Sequence, residues 1–591
     1  MDKKSLMAMV LIAVILLTMP MYQEYILGVK PDEKEKVSDQ KKPETKKEEI
    51  SSQKEQEKPA EPVIKEDIQE DEISNEVKPE EGIGDSVVKN ITIETDNYLL
   101  ELSSHGGGSL KEFILKNYIK YDSSYVNMIS ERIKNNLTLT FQESSGNYVD
   151  TKDYNYSTNN SGEHIYLNTS ENYSVIYTLD YKGTLITKEF IFNKDVYHID
   201  LKVSFSNQEN LLNSNYQVNW INGLPPTESY IEDDSQYSHA FAYMADELES
   251  YNIDDPGVAE MTTLSGEAEW LAIRTKYFIA SISVIDANVS EGVYFQGRGI
   301  QHEGYLEKLF NTGFFAKNEQ NKPGIYRIYI GPLDYKELEK YDNNLDEMVM
   351  NNSGYERFFR PFSRYLILPL LEFFHSFIPN WGVVIIIFSI FIKIVLYPLT
   401  KNSLKATKKM QLMQPKMAEI REKYKNDQQR LNKEMMSLYK EHGNPLSGCL
   451  PQLLQLPLLI ALFIVFRSTI QLRGATFIPG WIDDLSQTDA LFTLPFSIPM
   501  YGDQFNLLPI IMAVTMFIMQ KMSIKDPKQK AMVYIMPVFM LVLFNRFPAG
   551  LNLYYSLING LQILQQKFIH TDKKEEEKQN IPPHKRNRKK R

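Results

Sequence analysis

Cysteine is almost missing from this chain. A single residue, Cys449, among 591 excludes an internal disulfide framework and any cysteine-cluster zinc site. Net positive charge is missing too: 65 lysines and arginines face 76 aspartates and glutamates, a net of −11, which argues against a uniformly basic nucleic-acid binder. No Gly-x-Ser-x-Gly nucleophile elbow occurs, so His105-Gly106-Gly107-Gly108, similar in wording to an esterase oxyanion loop, reads as a plain loop between strands. No Gly-Lys-Ser/Thr follows it, which removes a phosphate loop. The nine histidines are scattered without metal-ligand spacing. The chain therefore offers no enzyme chemistry, no metal and no cofactor.

What is present is strongly segregated. An apolar fraction of 43% and a mean hydropathy of −0.35 describe an ordinary soluble protein, and the average misleads. Lys3-Lys4 precedes an apolar run over 6–19, which suits either a cleaved signal peptide or an uncleaved anchor. The exit Pro20-Met21-Tyr22-Gln23-Glu24-Tyr25 has no small-x-small cleavage site and carries interfacial tyrosines, so residues 1–29 are expected to be an anchor. Residues 30–88 are dominated by Lys, Glu, Asp, Pro and Gln. Such a segment cannot bury enough apolar surface to offset its chain entropy and is expected to be a disordered tether. Its coil dimension is roughly 45 Å root-mean-square.

Residues 89–350 alternate with period two. Ile91-Thr92-Ile93-Glu94 and the run Tyr197, Ile199, Leu201, Val203, Phe205 are strands with one buried face. Similar runs at 173–179, 278–284 and 325–330, separated by Asn/Ser/Gly/Asp clusters, predict a large all-β sandwich with a helical tail near 335–350. Residues 351–379 then carry Phe358, Phe362, Leu366, Leu370 and Phe374 every fourth position, with Arg357, Arg360 and Arg364 elsewhere. This is an amphipathic helix suited to an interface plane or to packing under the sandwich, interrupted near Pro361 and Pro369.

Five apolar runs follow within 380–570, at 381–399, 449–470, 507–522, 532–547 and 551–568. Each approaches the roughly 20 residues that cross about 30 Å of hydrocarbon. With the anchor they predict a polytopic α-helical membrane protein of six spans. Loop charges orient it. Segment 401–442 holds 11 basic and 5 acidic residues, and the loop 471–506 holds Arg473 against Asp483, Asp484, Asp489 and Asp503. The turn 521–530 and the tail 571–591 are again net basic. The alternation puts both termini in the cytoplasm and 30–380 outside.

The residue that needs explaining is Lys393, inside the first of these runs. A lysine at mid-bilayer costs about 2.5–3.5 kcal/mol on insertion scales. Snorkelling to Lys401 would have to cover eight residues, roughly 12 Å of helix, and a lysine stem of roughly 6 Å covers half of that. The charge is therefore expected in a water-accessible space between helices. Ser389 lies one turn earlier on the same face. Asn552, Tyr554, Tyr555 and Asn559 in the last run, and Gln455 in the second, add polar groups that could line a half-polar groove. Within 401–442, Met410, Met413, Met417, Ile420 and Tyr424 follow 3-4 spacing. Leu431, Met435 and Leu438 repeat it after Asn426-Asp427, predicting a helical hairpin sealed along its own apolar stripe. Methionine stripes also suit varied apolar chains.

These residues carry a resemblance. Lys393-Ile-Val-Leu-Tyr397-Pro398-Leu399-Thr400, Met410-Gln-Leu-Met-Gln414-Pro415-Lys416-Met417, Asn444-Pro445-Leu446-Ser447-Gly448-Cys449, Trp481-Ile-Asp-Asp-Leu485, Phe547-Pro548-Ala549-Gly550-Leu551, Leu553-Tyr554-Tyr555 and Gln565-Gln566 resemble the YidC-type membrane protein insertases. The similarity runs from about residue 355 to 569, and the β-region (270–281 and 329–332) looks like the bacterial form with a large periplasmic domain in the inner-membrane protein. The resemblance implies nascent membrane proteins as clients, with the Sec translocon, the ribosome and anionic lipids as partners and no small-molecule substrate. It implies a groove open to cytoplasm and lipid but closed outside, with Ser389 and Tyr555 touching the passing helix and 401–442 capturing it first. The family's intramembrane charge is usually arginine; Lys393 keeps the charge and loses the bidentate fork. Two other readings remain. A secondary transporter of a small anion should show internal repeats, and none is convincing here. A membrane-tethered periplasmic binding protein would need only one span.

Overall fold

The structure, a computed structural model, describes residues 87–568 apart from 121, 130–135, 159, 161–163, 168–171, 208–210, 286–289, 319–321, 352–353, 443–449, 500 and 524–529. The anchor at 1–29, the tether up to 86 and the tail at 571–591 lie outside the described residues.

The runs with period two are strands. The longest sheet has nine. Edge to edge it runs Glu247–Tyr251, His239–Met244, Ala268–Arg274, Phe278–Val284, Gly324–Pro332, His198–Ser206, Thr184–Asn193, Asn172–Tyr181 and Ser157–Thr158. Alternation does the sorting: in His198–Ser206, Ile199, Leu201, Val203 and Phe205 are buried, and the residues between them are half-buried or exposed. A seven-stranded sheet built around Ser290–Gln301, Leu306–Lys317 and Leu211–Trp220 faces it. Phe205 meets Tyr216 across the gap at 5.0 Å, and the Tyr216 and Tyr326 hydroxyls hydrogen-bond at 2.7 Å. A five-stranded sheet, including Asn90–Glu94, Tyr98–Ser103 and Ser109–Ile119, completes the domain. The expected helical tail is no more than short turns at Tyr335–Leu338, Glu339–Tyr341 and Leu345–Met348.

The glycine triplet is a packing device. It turns the chain between Tyr98–Ser103 and Ser109–Ile119, with Gly107 and Gly108 at φ 71° and 83°. A Cβ on Gly108 would sit 2.3 Å from the Phe190 ring, so nothing larger fits. Lys188 reaches beneath this loop and donates to the carbonyls of Leu137 at 2.6 Å and Gly106 at 3.3 Å.

Helix α1 (Ile231–Tyr237) belongs to the β-domain. After it, α2 (Gly354–Phe362) and α3 (Leu368–His375) are joined by a π-turn at Ser363–Ile367. The expected break at the prolines is corrected: Leu368 N donates to Ser363 O, five residues back, and this wider turn keeps the chain helical where proline lacks an N–H. Of the expected apolar stripe, Phe358, Phe362 and Leu366 are exposed and Leu370 and Phe374 are half-buried. Ser363, Ile367 and Leu371 are buried, while Phe358, Tyr365, Leu366 and Phe373 are exposed.

The apolar runs form α4 (Trp381–Val395), α7 (Leu450–Ser468), α8 (Leu507–Ser523), α9 (Lys530–Phe544) and α10 (Ala549–Phe568). Between α4 and α7 lie α5 (Tyr397–Lys423) and α6 (Gln428–His442). Among the described residues no helix is long and apolar enough to cross a membrane. The 15 residues of α4 rise only about 22 Å at 1.5 Å each, and α10 interrupts its apolar faces with Asn552, Asn559, Gln562, Gln565 and Gln566. Helix α10 packs against α4, α7 and α8. The loop after α7 ends in a two-stranded hairpin, Ala490–Ile498 with Gly502–Asn506.

Candidate functional site

Lys393 sits in the last turn of α4 and is only 9% exposed. Its ammonium donates to Gln562 Oε1 of α10 at 2.5 Å, and it enters no ion pair among the described residues. An amide oxygen takes one of the three ammonium protons and leaves the charge uncancelled. Gln562 was missed by sequence reasoning. The signal was there: Tyr555, Asn559, Gln562 and Gln566 follow 4-3-4 spacing on one face of α10.

The other groove candidates divide. Ser389 is fully buried one turn below Lys393, and its hydroxyl donates back to Ile385 O at 2.7 Å. Tyr554 is buried, its ring 6.2 Å from Phe388, and its hydroxyl lies toward half-buried Gln455. Tyr555 turns the other way, edge-on to Phe544 at 5.2 Å. Asn552 is fully buried and spends its amide protons on the carbonyls of Phe544 and Phe547, at 3.1 and 3.2 Å. It thereby fastens the turn between α9 and α10, away from the Lys393–Gln562 pair.

In α5 and α6, Met413 and Met417 are buried with Leu438, and Ile420 and Met435 pack against them. Asp427 caps α6 through Arg430 N at 3.0 Å. The side chain of Met410 lies outside the described residues.

A second polar cluster joins the β-domain to the helices. Arg467, at the end of α7, pairs with Asp233 of α1, which also holds Lys276 at 2.6 Å. Arg473 pairs with Glu228 at 2.7 Å, both side chains almost completely buried, and donates to Ile119 O at 2.7 Å. Gln471 donates to Asp334 at 2.8 Å, and Arg364 pairs with Asp346 at 2.9 Å. Burial alone would raise the Asp233 carboxyl; Arg467 and Lys276 beside it more than offset this and hold it well below the usual range. Burial, with Glu228 nearby, pushes Asp234 up to about 6. Sequence reading did not find this cluster, in which Asp233 and Arg467 are 234 positions apart and Glu228 and Arg473 are 245 apart.

The chain matches two family models, the YidC periplasmic domain over 90–350 and the 60Kd inner membrane protein over 373–577. It is 37% identical over 497 residues to the membrane protein insertase YidC of Prosthecochloris aestuarii, covering 83% of this chain and 84% of that one. The chain belongs to the YidC family. The YidC insertase of Chlorobaculum tepidum is 35% identical, with 83% of each chain covered. A crystal structure of an active YidC insertase aligns with 81% of this chain and 92% of its own at 18% identity and a TM-score of 0.34. As a YidC-family member this is an inner membrane protein with a periplasmic β-domain and an insertase core.

Proposed function

We propose that this YidC-family chain captures nascent membrane proteins and carries their polar flanks along a hydrophilic groove centred on Lys393, releasing apolar segments sideways into lipid. The observation that carries this is a buried ammonium held by an amide and by no carboxylate among the described residues. A flank charge costs kilocalories in hydrocarbon. A fixed cation about 4 Å away returns about 1 kcal/mol in water and about 4 kcal/mol at an effective dielectric of 20. The groove works only if it is partly dry. Tyr555 contacts the passing helix, and Ser389, buried at rest, joins it when the packing over α4 opens; Tyr554, Gln455 and Asn552 line or brace the walls.

Six spans with both termini cytoplasmic fit the loop charges. The ion pairs Arg467–Asp233 and Arg473–Glu228 support that orientation, because they tie the end of α7 and the following loop to the periplasmic domain. The α5–α6 hairpin then lies in the cytoplasm and meets the client first. Its methionine stripe opens from self-packing to receive an apolar segment, and its basic exterior and the basic tail face ribosome or anionic lipid. The Sec translocon is the natural partner for clients with large translocated domains.

Neutralising the cation tests the proposal. Lys393→Gln should cut insertion of a substrate with an acidic translocated flank by about tenfold more than a matched neutral one, the effect of about 1.4 kcal/mol. Equal loss for both substrates would count against electrostatic capture.

A further inference from the structure

We propose that the hairpin Ala490–Ile498/Gly502–Asn506 is a lipid anchor, seated in the outer-leaflet surface beside the helices. This rests on the reading of 471–506 as an outside loop. Leu491, Phe492, Phe496 and Ile498 are 39 to 61% exposed within one strand of nine residues. Single exposed apolar residues are ordinary on a soluble surface, but a concentration of this kind marks a contact surface. A two-stranded hairpin is also marginal in water unless something covers it.

Its placement names the cover. Asn506 donates to Asn545 O and Oδ1, and Asn545 donates back to the carbonyls of Tyr501 and Gln504, both at 3.0 Å. Asp489 accepts from Leu507 N and Leu508 N at 2.8 and 2.6 Å. The hairpin is therefore rooted where α8 begins and where α9 turns into α10, at the ends of three helices. From that root the exposed apolar surface continues down the helices through Ile511 and Val514 of α8 and Val538 and Phe539 of α9. In an inner membrane protein that surface faces acyl chains, and the hairpin extends it to the rim. Pairing with a strand of another protein is disfavoured, since Pro495 and Pro499 lack the N–H such an edge needs.

The test is depth measurement on the full chain in proteoliposomes. The native cysteine is removed (C449S) and a nitroxide is attached at F496C, with F492C as a second position and V258C on the exposed β-domain surface as reference. The expected result is a ratio of oxygen to nickel-chelate accessibility several-fold higher at 496 and 492 than at 258. A ratio equal to that at 258 overturns the proposal. So does one that rises only when a client polypeptide is added, which would make the partner a protein. Labelling of G480C by a membrane-impermeant maleimide reports the orientation separately. Labelling from the cytoplasmic side alone would sink the outside-loop reading and the outer-leaflet seat with it. Outside labelling with a nickel-accessible position 496 would sink the anchor alone.

Discussion

Among the described residues, two lysines, Lys188 and Lys393, are buried without a carboxylate partner, and they do different things. Lys188 lies in the β-domain core between the rings of Tyr156 and Phe190, bonded to the carbonyls of Leu137 and Gly106. Burial pushes its ammonium down to about 7 from the ordinary 10.5. Between those values the unfolded chain holds more protons than the folded one, so stability rises with pH through that window, by at most about 1.4 kcal/mol per pH unit. Urea midpoints followed by tryptophan fluorescence should climb from pH 7 to 10, and Lys188→Met should flatten the climb. An unchanged slope in the variant would assign the rise elsewhere. Lys393 instead donates to a single amide oxygen, that of Gln562. Gln562→Leu removes that acceptor while leaving the cation, so it should impair insertion of acidic-flank substrates less than Lys393→Gln does. The insertion assay ranks the two.

The α5–α6 hairpin shows what an element can be asked to do. Met413, Met417 and Leu438 form its one buried cluster among the described residues, so Met413→Asp places a charge in that seam. Such a change should cost about 2–5 kcal/mol of hairpin packing, read as faster hydrogen exchange over 413–438 with α10 unaffected. Exchange rates equal to the parent would mean the helices are held by something else. This hairpin was legible in the sequence because 3-4 spacing and the Asp427 cap are local signals. The strands at Phe278–Val284 and His198–Ser206 were legible for the same reason, through period two. The continuous helix across Pro361 was not, because a π-turn at Ser363–Ile367 leaves no compositional trace. Nor was the role of Asn552, whose amide protons go to carbonyls on the far side of a turn and which reads as a groove residue from polarity alone. Lys393 could be found as an anomaly in an apolar run and Gln562 as part of a polar face, but that the two pair needed the helix packing.

At the scale of the whole molecule the β-domain is bolted to the helices by charges that the sequence presents as unrelated. Arg473 and Glu228, with side chains 7% and 4% exposed, are stable only as a pair. Removing one partner of a buried pair typically costs about 3–5 kcal/mol, because the other charge stays desolvated. Glu228→Ala in the full chain should therefore loosen the domain junction, seen as a lower midpoint for thermal loss of insertion. Deleting 90–347 is a different perturbation. It removes Glu228, Asp233 and Asp346 together with the protein that buried Arg473, Arg467 and Arg364, and returns those arginines to water, where an unpaired guanidinium costs little. The larger change should thus be the milder one, with the truncated chain retaining most insertion activity at moderate temperature while Glu228→Ala loses thermal tolerance. Replacing both partners, Glu228→Leu with Arg473→Leu, should recover much of that loss, since an apolar pair of similar volume avoids both desolvation terms. A folded, membrane-inserted truncation with no activity would show that the β-domain acts in insertion itself, and a double variant no better than Glu228→Ala would show that Arg473 serves more than docking.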